Sequence, residues 1–383
     1  MILEWDQLLA DCVNFTQRLI QTPSMPFQEA ALAALVELEL NRLGFDTVWQ
    51  DAMGNVYGRI FGMDRAAGAI VLNTHLDHVD PGDPALWPAP PYSGTIKNGR
   101  IIGRGACDIK GPLAVQVYSM AALLRAGVRP QRDIVFCGVV QEEIGGAGAK
   151  FWVDNLDYPV ALIVLGEPSA NNIALGHRGI VQMWVQFNGR SVHASVPEKG
   201  KNPNYALAAF LQKLASAQSE LSSHPLLGPT TVSPTIIDVD TTSPNVTPAW
   251  ARVVLDFRTA TESINSLLQF IDNLAGDWPH IISDAWCSEP TPLPESDEPI
   301  YGFYTPPETA AVQRARALIA RGMGYEPRLT RYQFATDGRF FNDYPVIGYA
   351  PSEENQAHIA GESIPIASMK DSLQGHYQLL LEF

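Results

Sequence analysis

The sequence predicts an α/β fold, a mixed or parallel sheet flanked by helices with a ferredoxin-like α+β domain inserted into it, and three observations predict it. Short continuous apolar runs bounded by turn or charged residues recur along the chain, as in the buried strands of a largely parallel sheet. These runs alternate with stretches of helical spacing, which is the grammar of an α/β layer. The middle of the chain changes to strands that alternate polar and apolar residues, the mark of a half-exposed sheet.

The elements follow in order. After Thr22-Pro-Ser, Ala31, Leu32, Leu35, Leu38 and Leu43 recur at helical spacing, so a helix is expected from about Phe27 to Leu43, stopped by Gly44. Strands are expected at Phe45 to Trp49, Asn55 to Ile60 and Ala69 to Thr74. A crossover helix over Pro112 to Leu124 then leads to the apolar run from Ile134, and a further run starts at Ala161. In the middle, Ile180 to Phe187 reads as a strand and Asn204 to Ala217 as a helix. Strands at Val232 to Asp238 and Ala249 to Phe257, a helix near Glu262 to Leu274 and a strand at His280 to Ser283 complete it. Strand, helix, strand, strand, helix, strand is the split unit of a ferredoxin-like domain.

The expected division is therefore 1–177 and 301–383 for the α/β domain and 178–300 for the inserted one. The Pro-rich passage Glu289 to Pro307 suits a return linker, since it fits neither helix nor central strand. Beyond it, a helix at Glu308 to Arg321, strands at Arg328 to Tyr332 and Val346 to Tyr349, and a closing helix at Ile366 to Leu381 resume the α/β pattern.

Composition narrows the function classes. The chain has 383 residues, enough for two domains at roughly 100 to 200 residues each. A net charge of −15 argues against nucleic acid or an anionic membrane as partner, because both require a basic patch; a small molecule or peptide is expected instead. No apolar segment approaches roughly 18 residues, so no membrane span is expected. Cys12, Cys107, Cys137 and Cys287 are scattered, and the opening Met1-Ile-Leu-Glu-Trp-Asp lacks the basic and apolar regions of a signal peptide. Both features suggest reduced thiols in a cytoplasmic protein.

Three apolar runs end in residues that can hold a metal: His75-Leu-Asp77, Glu142-Glu143 and Glu167. Ligands collect at the carboxyl edge of a parallel sheet, and histidine with carboxylates makes a site suited to zinc. His75 and Asp77, two apart, would share a face of a strand, letting Asp77 accept the spare imidazole N–H; a surface histidine beside a solvated acid has the same spelling. Asp108 lies in Gly103-Arg-Gly-Ala-Cys-Asp-Ile-Lys-Gly111, where Gly105 and Gly111 would permit an unusual backbone path, or Asp108 would cap the following helix. The neighbouring carboxylates Glu142 and Glu143 repel unless a cation or proton separates them, so one can ligate while the other moves protons.

These motifs, with Gly166-Glu-Pro168 and a late His358 in the same order, resemble the two-zinc aminoacylase-like amidohydrolases that include acetylornithine deacetylase, succinyl-diaminopimelate desuccinylase and carboxypeptidase G. The resemblance runs through nearly the whole chain. It implies His75 and Glu167 on one zinc, Glu143 and His358 on the other, Asp108 bridging, and a cis peptide after Asp108. Glu142 would be the general base for a hydroxide formed from metal-held water, and Asp77 would support His75. Cobalt or manganese could substitute for zinc.

The resemblance further implies that the inserted domain is a dimerisation lid and that His193, in Gly189-Arg-Ser-Val-His-Ala-Ser, supports the oxyanion in the partner's site of a homodimer. Asn245, Arg258 and Gly338 match substrate-contacting positions, with Arg339 a weaker carboxylate anchor. Arg258 read alone serves equally as a salt-bridge partner of Asp256, His193 alone as a satisfied structural histidine, and Lys110 as structural. The expected reaction is hydrolysis of an N-acyl amino acid at a non-peptide or dipeptide C–N amide bond. A dipeptidase or exopeptidase with the same chemistry is the runner-up, and a catalytically silent binding protein on this scaffold is the rival of another class.

Overall fold

The structure, a computed structural model, describes residues 3–287 and 289–383. The chain forms two compact units. The first runs to Gly176 and resumes over Phe303–Tyr332 and Thr336–Phe383; the second comprises His177–Gly302 with Gln333–Ala335.

The first unit is built on an eight-stranded mixed sheet in the order Thr47–Gln50, Val56–Ile60, Ile134–Val139, Ala69–His75, Val160–Leu165, Val346–Gly348, Ile173–Ala174, Leu329–Thr330. The strand Ala69–His75 is buried along its whole length and lies parallel to both neighbours, Ile134–Val139 and Val160–Leu165. Continuous apolar sequence is what a strand covered on both faces requires. Parallel alignment brings the carboxyl ends of these strands, and therefore the segments carrying His75, Glu142, Glu143 and Glu167, to one edge of the sheet. A separate three-stranded sheet joins Ser363–Pro365 to Arg100–Ile102 and Thr95–Lys97.

Helices Trp5–Ile20, Gly111–Ala126, Ala310–Met323 and Ile366–Glu382 pack against one another. Gly111–Ala126 is buried almost all round, as a sequence with only Gln116, Ser119 and Arg125 strongly polar demands. The helix Ala30–Leu43 ends at Gly44 in the left-handed conformation, the stop expected of it, but begins at Ala30 because Phe27 already has φ of 67°. Trp5–Ile20 was not foreseen, although Leu8, Cys12, Phe15 and Leu19 line its buried stripe. The expected strand Arg328 to Tyr332 is reduced to Leu329–Thr330, which pairs with the equally short Ile173–Ala174. Thr305 N–H donates to the Leu175 carbonyl at 2.8 Å, so the points where the chain leaves and rejoins this unit are hydrogen-bonded neighbours.

The second unit contains the antiparallel sheet Thr231–Val239, Trp250–Thr259, Gly176–Asn188, His280–Asp284. In chain order this is the ferredoxin-like arrangement, with helices Pro203–Ala217 and Ile264–Ala275 between the strands. Alternate residues Val181, Met183, Val185 and Phe187 face a core shared with Phe210, Leu214, Leu267 and Ile271. Ser263 starts the second helix with a reciprocal capping box to Ser266. The Pro-rich passage is not entirely irregular: Tyr301–Tyr304 forms a strand between Pro299 and Pro306.

Candidate metal centre

His75 closes its strand fully buried, with Nε2 2.9 Å from Asp108 Oδ1 and 3.9 Å from Glu167 Oε1. The other oxygen of Asp108, Oδ2, lies 3.2 Å from His358 Nε2, which is also 3.1 Å from Glu143 Oε1. The ligand atoms of His75, Asp108 and Glu167 all lie within 4.8 Å of one another, as do those of Asp108, Glu143 and His358. Two donor triads thus share one carboxylate through its two different oxygens. Segments as distant as residues 75 and 358 meet because the strand ends converge and the loop holding His358, where φ is 61°, folds over them.

The Asp108 loop depends on its glycines in two distinct ways. Gly105 has φ of 81°, a conformation costly for any residue with a Cβ. Gly111 has ordinary helical angles, but a Cβ there would stand 2.5 Å from both the Ala106 carbonyl oxygen and Ile364 Cδ1. The Asp108–Ile109 peptide is cis. Asp108 does not cap the helix that follows; Lys110 holds that position, and its buried ammonium donates to the Thr22 carbonyl at 2.7 Å.

Asp77 makes two sets of contacts. The strand ends at His75, so the two side chains do not share a strand face, but His75 Nδ1 is 3.0 Å from the Asp77 carbonyl oxygen and 3.5 Å from its carboxylate. The carboxylate also accepts the backbone N–H of Glu142 at 3.1 Å and of Glu143 at 3.0 Å. It thereby fixes the turn that presents both glutamates, a turn entered through Gln141 at φ of 60°.

Electrostatics fit a cation at each triad. Burial and the charges of Asp337 and Glu167 push the Glu142 carboxyl well above its usual range. Burial and Asp108 do the same to Glu167. Asp108 is held below the usual carboxylate range by His358 and His75, against the opposing effect of burial. Crowded carboxylates with imidazoles interleaved are stabilised by divalent charge, and an N/O donor set of this kind suits zinc.

Asp337 was missed by sequence reasoning, which considered only its neighbours in Thr336-Asp-Gly-Arg339. It is 2% exposed, and neither carboxylate oxygen has a hydrogen-bond partner among the described residues. Burial pushes its carboxyl up to about 7. It packs against Gly146, where a Cβ would meet Asp337 Oδ1 at 2.3 Å, while Arg339 Nη2 donates to the Gly145 carbonyl at 2.8 Å. The signal available was Thr336, whose side chain accepts from Gly338 N–H and starts the short helix Asp337–Phe340. Gly338 itself is buried, with the Phe303 ring 2.4 Å from where its Cβ would be.

The remaining nominated residues lie in the second unit. His193 is exposed, its Nδ1 2.7 Å from Ser195 Oγ, and it forms an isolated antiparallel bridge with Val246. Ala194 N–H donates to the Asn245 carbonyl at 2.8 Å, so the His193 and Asn245 segments are adjacent. Arg258 directs its fork at Asp256, with contacts of 2.7 and 3.3 Å.

A model of peptidase family M20/M25/M40 matches residues 71–382. The chain belongs to this family. Among its relatives, the succinyl-diaminopimelate desuccinylase of Cereibacter sphaeroides is 26% identical, with 97% of this chain and 98% of that protein aligned. The uncharacterised Escherichia coli protein YgeY is 25% identical over 92% of this chain and 89% of its own. Solved structures share the fold: aminopeptidase PepT from Bacillus cereus superposes with a TM-score of 0.74 at 18% identity, covering 97% of this chain and 98% of that one. YxeP from Bacillus subtilis, described as a dinuclear metal-binding peptidase of the M20 family, gives 0.73 at 14% identity and 98% of both chains. This M20 protein is accordingly a metal-binding hydrolase of amide bonds. Among the described residues, no helix is long and apolar enough to cross a membrane.

Proposed function

We propose that this M20 enzyme hydrolyses the amide bond of an N-acyl amino acid, using two zinc ions. The observation that carries the reading is the pair of donor triads joined through the two oxygens of Asp108, with Glu142 on the same turn as Glu143. His75 and Glu167 would hold one cation, Glu143 and His358 the other. When bound, the pair supplies Lewis acidity to the amide carbonyl and lowers the pKa of a water between the two ions.

This chain's residues do the rest. Glu142, outside both triads but on the turn that carries Glu143, would take a proton from the attacking water and return it to the departing amine. Asp77 holds Glu142 and Glu143 in place through their N–H groups. His193 supports the oxyanion from the neighbouring subunit of a homodimer. Asn245, Arg258 and Gly338 contact the substrate, Arg258 sharing its guanidinium between Asp256 and the substrate carboxylate. Desuccinylase relatives aligned over nearly their whole length support acylated amino acids over dipeptides.

The test is a zinc-loaded activity screen over acetyl, succinyl and formyl amino acids together with dipeptides, repeated after chelation and zinc readdition. Turnover of an acylated amino acid, lost with the metal and regained with zinc, is expected. Turnover of dipeptides alone would replace this reading with a dipeptidase, and metal-independent inertness toward every substrate would indicate a binding protein.

A further inference from the structure

Glu362 lies four residues beyond His358, is 1% exposed and carries no role in the chemistry above. Its Oε1 accepts the backbone N–H of Cys107 at 2.8 Å and of Asp108 at 3.0 Å. Its Oε2 accepts Gly105 N–H at 3.1 Å and Arg104 Nη1 at 2.6 Å. One buried side chain therefore receives four donors from the loop that carries the shared carboxylate. Its backbone joins in, the Glu362 carbonyl accepting Gly103 N–H at 3.0 Å.

The other end of the His358 loop is tied to the same segment. Arg100 Nη2 donates to Glu353 Oε2 at 2.7 Å and Cys107 Sγ lies 3.2 Å from the Glu353 carbonyl. His358, half-exposed itself, thus sits on an arc pinned at residues 353 and 362 to the loop of Asp108. A carboxylate accepting several N–H groups fixes a backbone path more firmly than neutral acceptors do, and outer partners of ligands commonly set metal affinity.

We infer that Glu362 is a positioning residue that holds Asp108 and His358 in register for metal binding. The inference rests on the proposed two-metal reading of the centre. Glu362 orients the backbone from which Asp108 projects, so that Oδ1 and Oδ2 reach separate triads, and it fixes where the His358 arc begins its return. Gln at this position keeps one carbonyl oxygen but turns an NH2 toward donors; Asp keeps the charge but is too short to reach both sides of the loop.

The experiment compares native protein, E362Q, E362D and D108N in two measurements: zinc titration by calorimetry, and amide hydrogen exchange on the metal-stripped proteins. In E362Q, exchange at Cys107 and Asp108 is expected to speed up at least about tenfold, and zinc affinity to fall about 10- to 100-fold; E362D should lie between. D108N should lose zinc affinity at both positions. Zinc affinity in E362Q within about threefold of native, with D108N impaired, overturns the positioning role and leaves the two-metal reading standing. Unchanged zinc binding in D108N overturns the two-metal reading and this inference with it. Should E362Q not fold, E362D decides by the same two measurements: faster exchange at Cys107 and Asp108 together with zinc affinity more than about threefold below native supports the positioning role, and both at native values overturn it.

Discussion

Asp77→Asn tests the hold that the Asp77 carboxylate has on the glutamate turn. Each carboxylate oxygen accepts one N–H, Oδ1 from Glu142 at 3.1 Å and Oδ2 from Glu143 at 3.0 Å. An asparagine amide can serve only one of them and turns its own NH2 against the other. Hydrogen bonds to a charged acceptor are worth about 1.5–3 kcal/mol each, so losing the charge and inverting one bond removes roughly 3–6 kcal/mol of hold on the glutamate turn. At about 1.4 kcal/mol per tenfold, that corresponds to a loss of about 10²- to 10⁴-fold in kcat/KM if the hold is fully expressed in the transition state. The contact from His75 Nδ1 to the Asp77 carbonyl, at 3.0 Å, remains, while the carboxylate 3.5 Å from the same nitrogen becomes a neutral amide. The Glu143–His358 triad should weaken toward zinc more than the His75–Glu167 triad, and metal content should fall toward one ion at limiting zinc. The assay is kcat/KM on the substrate found by screening, at saturating zinc, alongside elemental analysis of dialysed protein. A variant within about threefold of native in kcat/KM, holding two ions, would refute the reasoning.

Glu142→Gln should lower kcat at least about 10²-fold, the scale of a lost general base, while zinc content measured by elemental analysis stays at the native value. Gly146→Ala forces a Cβ onto a left-handed backbone, φ 71°, within 2.3 Å of Asp337 Oδ1 and 2.5 Å of Phe340 Cε2. Strain and overpacking together should cost about 2–4 kcal/mol, read as a lower melting temperature by calorimetry. His376 is fully buried, with Nδ1 2.9 Å from the Ser372 carbonyl and no partner for Nε2 among the described residues; burial holds its imidazole down at about 4, against an ordinary 6.5. Its depressed value means that the unfolded chain binds the proton first, so its stabilisation is complete above pH 6.5, falls as pH drops, and levels off below about 4. At pH 5 about 2 kcal/mol should be gone, and urea unfolding at pH 7.5 and 5 should show the native protein losing that amount more than His376→Gln does.

The parts of the fold visible from sequence are those whose burial pattern is local. The run Ala69–His75 is apolar because helices and sheet neighbours cover both of its faces, and Ile180 to Phe187 alternates because one face meets the core of its unit. Gly44 announces a helix end because only a left-handed residue closes it cheaply. Ile173–Ala174 left no such trace, and Leu329–Thr330 only an overlong one, since two-residue strands are defined by each other rather than by their own sequence. The same contrast applies to the site. His75, Glu142, Glu143 and Glu167 follow apolar runs, so strand ends pointed to them. The work of Glu362 crosses 255 residues to Cys107 and has no local spelling. The spacing of His75 and Asp77 points to their mutual contact, but the turn of Glu142 and Glu143 that Asp77 also holds has no local spelling.

The hydrogen bond from Thr305 to Leu175 makes the inserted segment separable by design. Because the first unit closes its backbone across that junction, everything between Gly176 and Phe303 is a detour from a sheet whose ladder is already continuous. A shortened gene bridging Leu175 to Thr305 through a few glycines would therefore leave the strands that carry the ligands in one unbroken sheet.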